Sequence, residues 1–305
     1  MKYISIDGKK VSQIALGCMR IGGKSETEAD ALVKTAIESG INFFDHADIY
    51  GGGECERVFS KVLKANPSLR DSMYIQSKCG INKAEGTFDF SKDYIIKSVE
   101  GSLERLGTDH LDFLLLHRPD ALCEPTEVAE AFDKLHGDGK VSAFGVSNKN
   151  PYQIELLQKY SKYKIAINQL QFGIAHSGMI DEGIYVNMNS DGSVSRDGHV
   201  LDYCRLNDIT IQPWSPFQYG FFEGVFIGSD KYPELNKVLD ELAGKYNVTN
   251  SAIAIAWILR HPANMQPILG SASPERVAQI SKAADIELSR KEWYDIYKAA
   301  GHKLP

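Results

Sequence analysis

Six short β-rich runs of this sequence each end on polar side chains that can do chemistry. INFF (41–44) is followed by Asp45, with Tyr50 a few residues on; MYIQS (73–77) runs into Lys78, and LDFLLL (111–116) into His117. VSAFGV (141–146) ends in Ser147-Asn148, KIAIN (164–168) in Gln169, and ITIQP (209–213) in Trp214-Ser215. Strands end where they meet water, so any single polar terminus is ordinary. A carboxylate, a phenol, an amine and an imidazole on three consecutive runs make a complementary set. Free Tyr and Lys titrate near ~10 and ~10.4, so neither alone moves protons at neutral pH. A Lys78 ammonium beside the Tyr50 phenol stabilises the phenolate, and is expected to lower the phenol's pKa and make it a usable proton donor. Asp45 keeps that ammonium charged and in place, and His117 orients or polarises a carbonyl. The set offers a proton to an oxygen and contains neither a nucleophile nor an obvious metal cage.

A carbonyl that takes a proton on oxygen must take a hydride on carbon, which implies a nicotinamide cofactor. A strand-end lysine can instead form a Schiff base, as in a class I aldolase. Pairing with Asp45 argues against that reading of Lys78, because a Schiff base needs the neutral amine.

The elements that must position these groups alternate regularly. To the runs above are added IALG (14–17) and a weaker eighth, QPILG (266–270). Helical stretches are expected at 27–39, 54–64, 92–105, 126–136, 151–160, 232–246, 251–260 and 274–284. Ser25 with Glu28 forms a capping box, Gly40 ends that helix, and Ser273-Pro274 reads as an N-cap and first helical residue. Strands alternating with helices make a parallel sheet with crossover connections, either doubly wound or closed. The count of eight favours a closed (β/α)8 barrel. A leading hairpin, YISI and VSQI around Asp7-Gly8-Lys9-Lys10, would plug its N-terminal end. In such a barrel every strand-end residue above lies on one rim, where active sites of this fold sit. Two long connections, 173–200 and 214–231, are expected to be functional loops on that rim.

No GxGxxG joins a strand to a helix, which argues against a Rossmann nucleotide site. A nicotinamide would lie across the barrel mouth, with Ser147, Asn148 and Gln169 on its carboxamide and Trp214 stacked on its ring. The stretch Gly270 to Arg276 reads either as an anion site, a helix N-terminus plus Arg276, or as an ordinary capped helix. Gly51-Gly52-Gly53 reads as a plain flexible turn. His46 and Asp48 flank Asp45, but no second histidine lies at ligand spacing, so no metal is expected. His46 is read as packed or hydrogen-bonded behind the site, and Cys79 as a buried inert thiol. Phe217, Tyr219, Phe221, Phe222 and Phe226 are read as an apolar substrate wall.

Composition bounds the rest. In 305 residues, 34 Lys and Arg stand against 40 Asp and Glu, a net charge of −6 that argues against nucleic acid or anionic membrane as the main partner. Five scattered cysteines with no CxxC pair read as reduced thiols of an intracellular protein. No apolar run approaches the ~20 residues of a membrane helix. The chain is expected to be soluble and cytoplasmic; its oligomeric state and its particular substrate are not legible.

The stretches IALGCMR, INFFDHADIYGGG, IQSKCGI, LLLHRPD, GKVSAFGVSN, INQLQF, PWSPF and ILGSASPERV together resemble the aldo-keto reductase family over essentially the whole chain, and within it a bacterial branch of poorly assigned oxidoreductases. The resemblance implies a single (β/α)8 barrel over residues 1–305 and reversible NADPH-dependent reduction of an aldehyde or ketone. By position it implies Tyr50 as general acid, Lys78 as the charge that lowers its pKa, Asp45 as the partner of Lys78, and His117 as the carbonyl-orienting group. Ser147, Asn148 and Gln169 match carboxamide-binding positions, and Trp214 the ring-stacking position. Ser215 and Phe217 fall on the pyrophosphate side, Ser271, Arg276 and Gln279 on the adenosine-phosphate end, and Met19 and Arg20 on the cofactor and substrate side. Gly270 stands where many members carry a basic residue, which leaves Arg276 as the main clamp for a 2′-phosphate. Some members act instead as nucleotide-sensing subunits of potassium channels, a non-catalytic alternative.

Overall fold

A computed structural model describes all 305 residues. The eight expected runs form eight parallel strands: β1 Ala15–Gly17, β2 Phe43–Asp45, β3 Tyr74–Cys79, β4 Leu111–Leu116, β5 Val141–Ser147, β6 Ile165–Gln171, β7 Thr210–Trp214 and β8 Ile268–Leu269. Each pairs with its sequence neighbour, and β8 returns to β1 through Ile268 opposite Ala15. The gap between β7 and β8 is bridged at Ile211 and Met265, where Ile211 N–H donates to Asn264 O at 3.0 Å and Gln266 N–H to Ile211 O at 2.9 Å. The sheet therefore closes on itself as a (β/α)8 barrel, and the doubly wound alternative falls. Central strands such as Leu111–Leu116 are apolar on both faces because one face packs inside the cylinder and the other under the helices.

Helices α1 Glu26–Glu38, α2 Glu54–Ala65, α3 Lys92–Leu106, α4 Pro125–Gly137 and α5 Pro151–Tyr160 follow the first five strands in turn. The Ser25–Glu28 capping box is present at the start of α1. The connection after β6 differs from expectation. Residues 173–200 hold a two-turn helix, α6 Gly178–Ile184, and run into α7 Val200–Leu206. Each spans only 7 residues, too short to show helical periodicity. After β7 come α8 Pro233–Tyr246, α9 Asn250–Leu259 and α10 Pro274–Ser281; the last tightens into a 3₁₀ turn over Lys282–Asp285.

A further helix, α11 Arg290–Ala299, explains why α9 is apolar all round. Trp257 of α9 stacks on Trp293 of α11 at 4.8 Å, and each indole N–H donates to the other's backbone carbonyl, at 3.1 and 3.0 Å. The N-terminal hairpin pairs Tyr3–Ile6 with Lys9–Ser12. Its turn is only Asp7-Gly8, both at positive φ, with Lys9 and Lys10 in the strand. Ile6 and Val11 pack with Phe43, Phe113 and Ile167 inside the barrel, so the hairpin stoppers the end away from the strand termini that carry the polar set. No helix is long and apolar enough to cross a membrane.

Candidate active site

The C-terminal ends of β2, β3 and β4 bring the four expected groups together. Lys78, near the end of β3, is completely buried, and its ammonium has three partners: Asp45 Oδ1 at 2.7 Å, His46 O at 2.7 Å and Tyr50 Oη at 3.1 Å. An ammonium has three N–H groups, so all three are spent. The Tyr50 ring meets His117 edge-on, with centroids 6.0 Å apart.

Tyr50 sits on a tight turn whose next three residues, Gly51, Gly52 and Gly53, all have φ between 57° and 87°. Only glycine takes three such residues in a row cheaply. The run is thus a left-handed turn that carries the chain from Tyr50 into α2.

The electrostatics follow from burial. Burial pulls the Lys78 pKa down, but Asp45 and the Tyr50 oxygen outweigh it and the net shift is upward. Lys78 therefore remains an ammonium. Tyr50 corrects the sequence expectation: Lys78 does lower its pKa, but burial is larger and the net shift is upward. The phenol keeps its proton at neutral pH. Burial, then Lys78, Arg118 and Lys83, hold His117 well below the usual imidazole range, so it is neutral. Its Nδ1 is buried without a partner.

His46 is packed rather than hydrogen-bonded. Its ring lies edge-on to Phe59 at 4.5 Å, both nitrogens lack partners, and burial holds its pKa near 3. Burial and the nearby Glu56 raise Asp48 to about 7. Cys79 is buried, with its thiol pushed well up by burial.

Beneath the four lies a layer that sequence reasoning missed. Asp45 Oδ1 also accepts from Gln76 Nε2 at 2.6 Å and Gln169 Nε2 at 3.1 Å. Both amides donate again to Gln212 Oε1, at 2.9 and 3.0 Å; Gln212 donates to Gln266, and Gln266 to Ser12 O of the hairpin. The signal was available: MYIQS, ITIQP and QPILG each place one glutamine within a strand run, where the side chain is fully buried.

Asp45, Tyr50 and His117 open on a cavity of ≈ 890 Å³ across the barrel mouth, with Lys78 behind them. Met19 and Arg20 line it beyond β1, and Ser147, Asn148 and Gln169 at the ends of β5 and β6. Trp214, Ser215 and Phe217 line it after β7; Gly270, Ser271, Arg276 and Gln279 line it around the start of α10. Asn148 is held in place, its amide donating to Ser147 Oγ at 2.7 Å and its oxygen accepting from Trp214 Nε1 at 3.3 Å. The aromatic wall is only partly as expected. Phe217 and Phe222 line the cavity, but Phe226 is fully buried core and Tyr219 packs on Tyr232. Arg118, Thr249 and Asn250 also line it and were not singled out from sequence.

The profile of the aldo/keto reductase family matches residues 13–300. The chain belongs to the aldo-keto reductase family. Oxidoreductase YdhF of Escherichia coli is 35% identical over 99% of this chain and 98% of its own length. A 6-dehydroglucose reductase of Agrobacterium fabrum is 33% identical over 98% of both chains. Among solved structures, an aldo-keto reductase from Klebsiella pneumoniae in complex with NADPH superposes with a TM-score of 0.76 at 24% identity, covering 98% of this chain and 95% of that one.

That neighbour holds NADPH, and the lining of the cavity here fits a group of that kind. The cavity lies within the usual size range of ligand sites, ~300–1,000 Å³. Arg276 is exposed at its edge and joins no ion pair. Beside it Ser271 and Ser273 stand at the N-terminus of α10, where backbone N–H groups favour anions. Gln169 spends its N–H groups on Asp45 and Gln212, which leaves its Oε1 without a partner inside the chain. A Cβ at Gly270 would meet nothing within 4 Å, so this position is open.

Proposed function

We propose that this oxidoreductase reduces an aldehyde or ketone, with Tyr50 giving the proton to the carbonyl oxygen. The observation that carries the reading is the chain Asp45–Lys78–Tyr50, at 2.7 and 3.1 Å, ending on the floor of a cavity beside a neutral His117. Tyr50, kept protonated by burial, can donate. Negative charge then grows on its oxygen, and the Lys78 ammonium already faces that oxygen, so the stabilisation requires no reorganisation at the moment of transfer. Asp45 and the glutamine layer fix the ammonium. A neutral His117 at the cavity floor would donate a hydrogen bond to the same carbonyl oxygen and orient it.

NADPH, when bound, supplies the hydride to the carbonyl carbon. Asn148 and Gln169 would hold its carboxamide, Trp214 its ring, Ser215 and Phe217 its pyrophosphate side, and Arg276 with Ser271 and Gln279 its 2′-phosphate end. Met19 and Arg20 would flank cofactor and substrate. A permanently charged Lys78 is unsuited to a Schiff base, which disfavours the aldolase alternative.

The test is a fluorescence titration with NADPH and NADH, followed by an aldehyde and ketone panel watched at the reduced-nicotinamide absorbance. NADPH is expected to bind more tightly than NADH and to be oxidised only when a carbonyl compound is present. Tight binding with no oxidation across the panel would overturn the proposal in favour of a non-catalytic nucleotide-binding role.

A further inference from the structure

We infer that Arg118 forms an anion subsite beside the reacting position, so that the preferred carbonyl substrate carries a carboxylate or phosphate group. The inference rests on the carbonyl-reductase reading and names its substrate class. Arg118 directly follows His117 at the end of β4 and lines the active-site cavity. It also lines a second chamber of ≈ 670 Å³ that adjoins the first at Asn148 and Trp214 and is roofed by residues of the 173–200 connection. Its guanidinium lies 5.5 Å from the Trp214 ring centroid and 5.9 Å from that of Phe221. It joins no ion pair and makes no hydrogen bond within the chain, and no carboxylate influences its pKa, which burial lowers. The other partly buried arginines contrast with it. Arg70 holds Asp112 at 3.0 Å, and Arg105 holds Glu56 at 2.7 Å.

A half-buried guanidinium without an anion is costly, and aromatic faces compensate only in part. The chamber does not supply the missing charge. Its carboxylates are occupied: Asp181 accepts from Tyr297 Oη at 2.7 Å and from Ser177 Oγ at 3.0 Å, and Asp197 from Val200 N–H at 3.1 Å. Arg196 and Lys149, the chamber's other cations, form no ion pair either. In a chain of net charge −6 this is a local excess of positive charge.

The anion in question is not a cofactor phosphate held at Arg276. Around the barrel β4 and β8 stand four places apart in a ring of eight, so the strand end that carries Arg118 lies opposite the one that leads to Arg276. The planar fork of an arginine suits both carboxylate and phosphate, and its wall is the one that carries His117.

The test compares kcat/KM for benzaldehyde with 4-carboxybenzaldehyde, and for glyceraldehyde with glyceraldehyde 3-phosphate. At least one anionic partner is expected to be preferred about tenfold or more, the scale of a charge-assisted hydrogen bond. The pair that shows the preference names the group. Arg118→Gln should bring that ratio to about one, whatever happens to the neutral substrate, and Arg118→Lys should keep part of it. A wild-type ratio near one in both pairs, or an unchanged ratio in Arg118→Gln, overturns the subsite. If no carbonyl compound is reduced, the reductase reading alone fails. The subsite is then judged by titrating Trp214 fluorescence with benzoate and inorganic phosphate: a saturable change lost in Arg118→Gln supports it, and no change overturns it.

Discussion

Replacing Lys78 with methionine keeps most of the volume and removes the charge on which the proposed chemistry depends. In the structure the Lys78 ammonium contacts Asp45 at 2.7 Å, with side-chain exposures of only 0% and 3%. At an effective dielectric of ~20 that separation corresponds to about 6 kcal/mol of attraction. The variant leaves the Asp45 carboxylate buried with only the Gln76 and Gln169 amides donating to it. Breaking a buried pair in this way costs about 3–5 kcal/mol. Tyr50 also loses its charge-assisted partner, about 1.5–3 kcal/mol, so turnover should fall at least tenfold beyond any loss from unfolding.

Urea unfolding followed by tryptophan fluorescence measures the first effect, and turnover of folded protein the second. Adding Asp45→Asn to Lys78→Met removes the stranded charge and should restore at least ~2 kcal/mol. Should Lys78→Met lose less than about 1 kcal/mol, or the double variant be no more stable than the single one, the buried-pair reasoning is wrong.

Three further outcomes follow from the same geometry. Asp48 titrates near 7 in the folded chain, above its ordinary value of 3.8. Its protonation thus contributes stability that is fully present below about pH 4 and lost as pH rises through 7. Asp48→Asn should therefore gain stability over wild type steadily between pH 4 and 7, read by thermal melts; a difference flat in pH refutes the assignment. Gln212→Leu leaves one N–H of each of the Gln76 and Gln169 amides without an acceptor and should cost about 1–3 kcal/mol in the same urea assay; a neutral result would show that the glutamine layer does not hold the site. Arg276→Ala should weaken NADPH binding at least tenfold while changing NADH affinity little, and equal losses for both would remove Arg276 as the 2′-phosphate clamp.

The barrel was legible because its strands are apolar on both faces and stop abruptly at polar residues. The convergence of Asp45, Tyr50, Lys78 and His117 followed from that, since all C-terminal strand ends of a closed barrel share one rim. What stayed hidden was decided by long-range packing. Helix α11 has few apolar residues: Trp293, Ile296 and Tyr297 are buried, and Trp293 ties it to Trp257 of α9. Its Ser289–Glu292 capping box was readable but stood alone. The net direction of the Tyr50 shift depends on how much water the fold excludes, which a list of neighbouring charges cannot supply. Nothing in the sequence sets Arg118 apart from other charged residues that follow strands; its lack of any acidic partner in the folded chain marks it out.

The proton-donor role of Tyr50 is tested most directly by Tyr50→Phe, which deletes one oxygen and leaves the ring beside His117. Carbonyl-dependent oxidation of NADPH should fall at least ~100-fold, with the NADPH dissociation constant within a few-fold of wild type. Turnover retained within about tenfold would contradict the account, because the proton would then be coming from elsewhere.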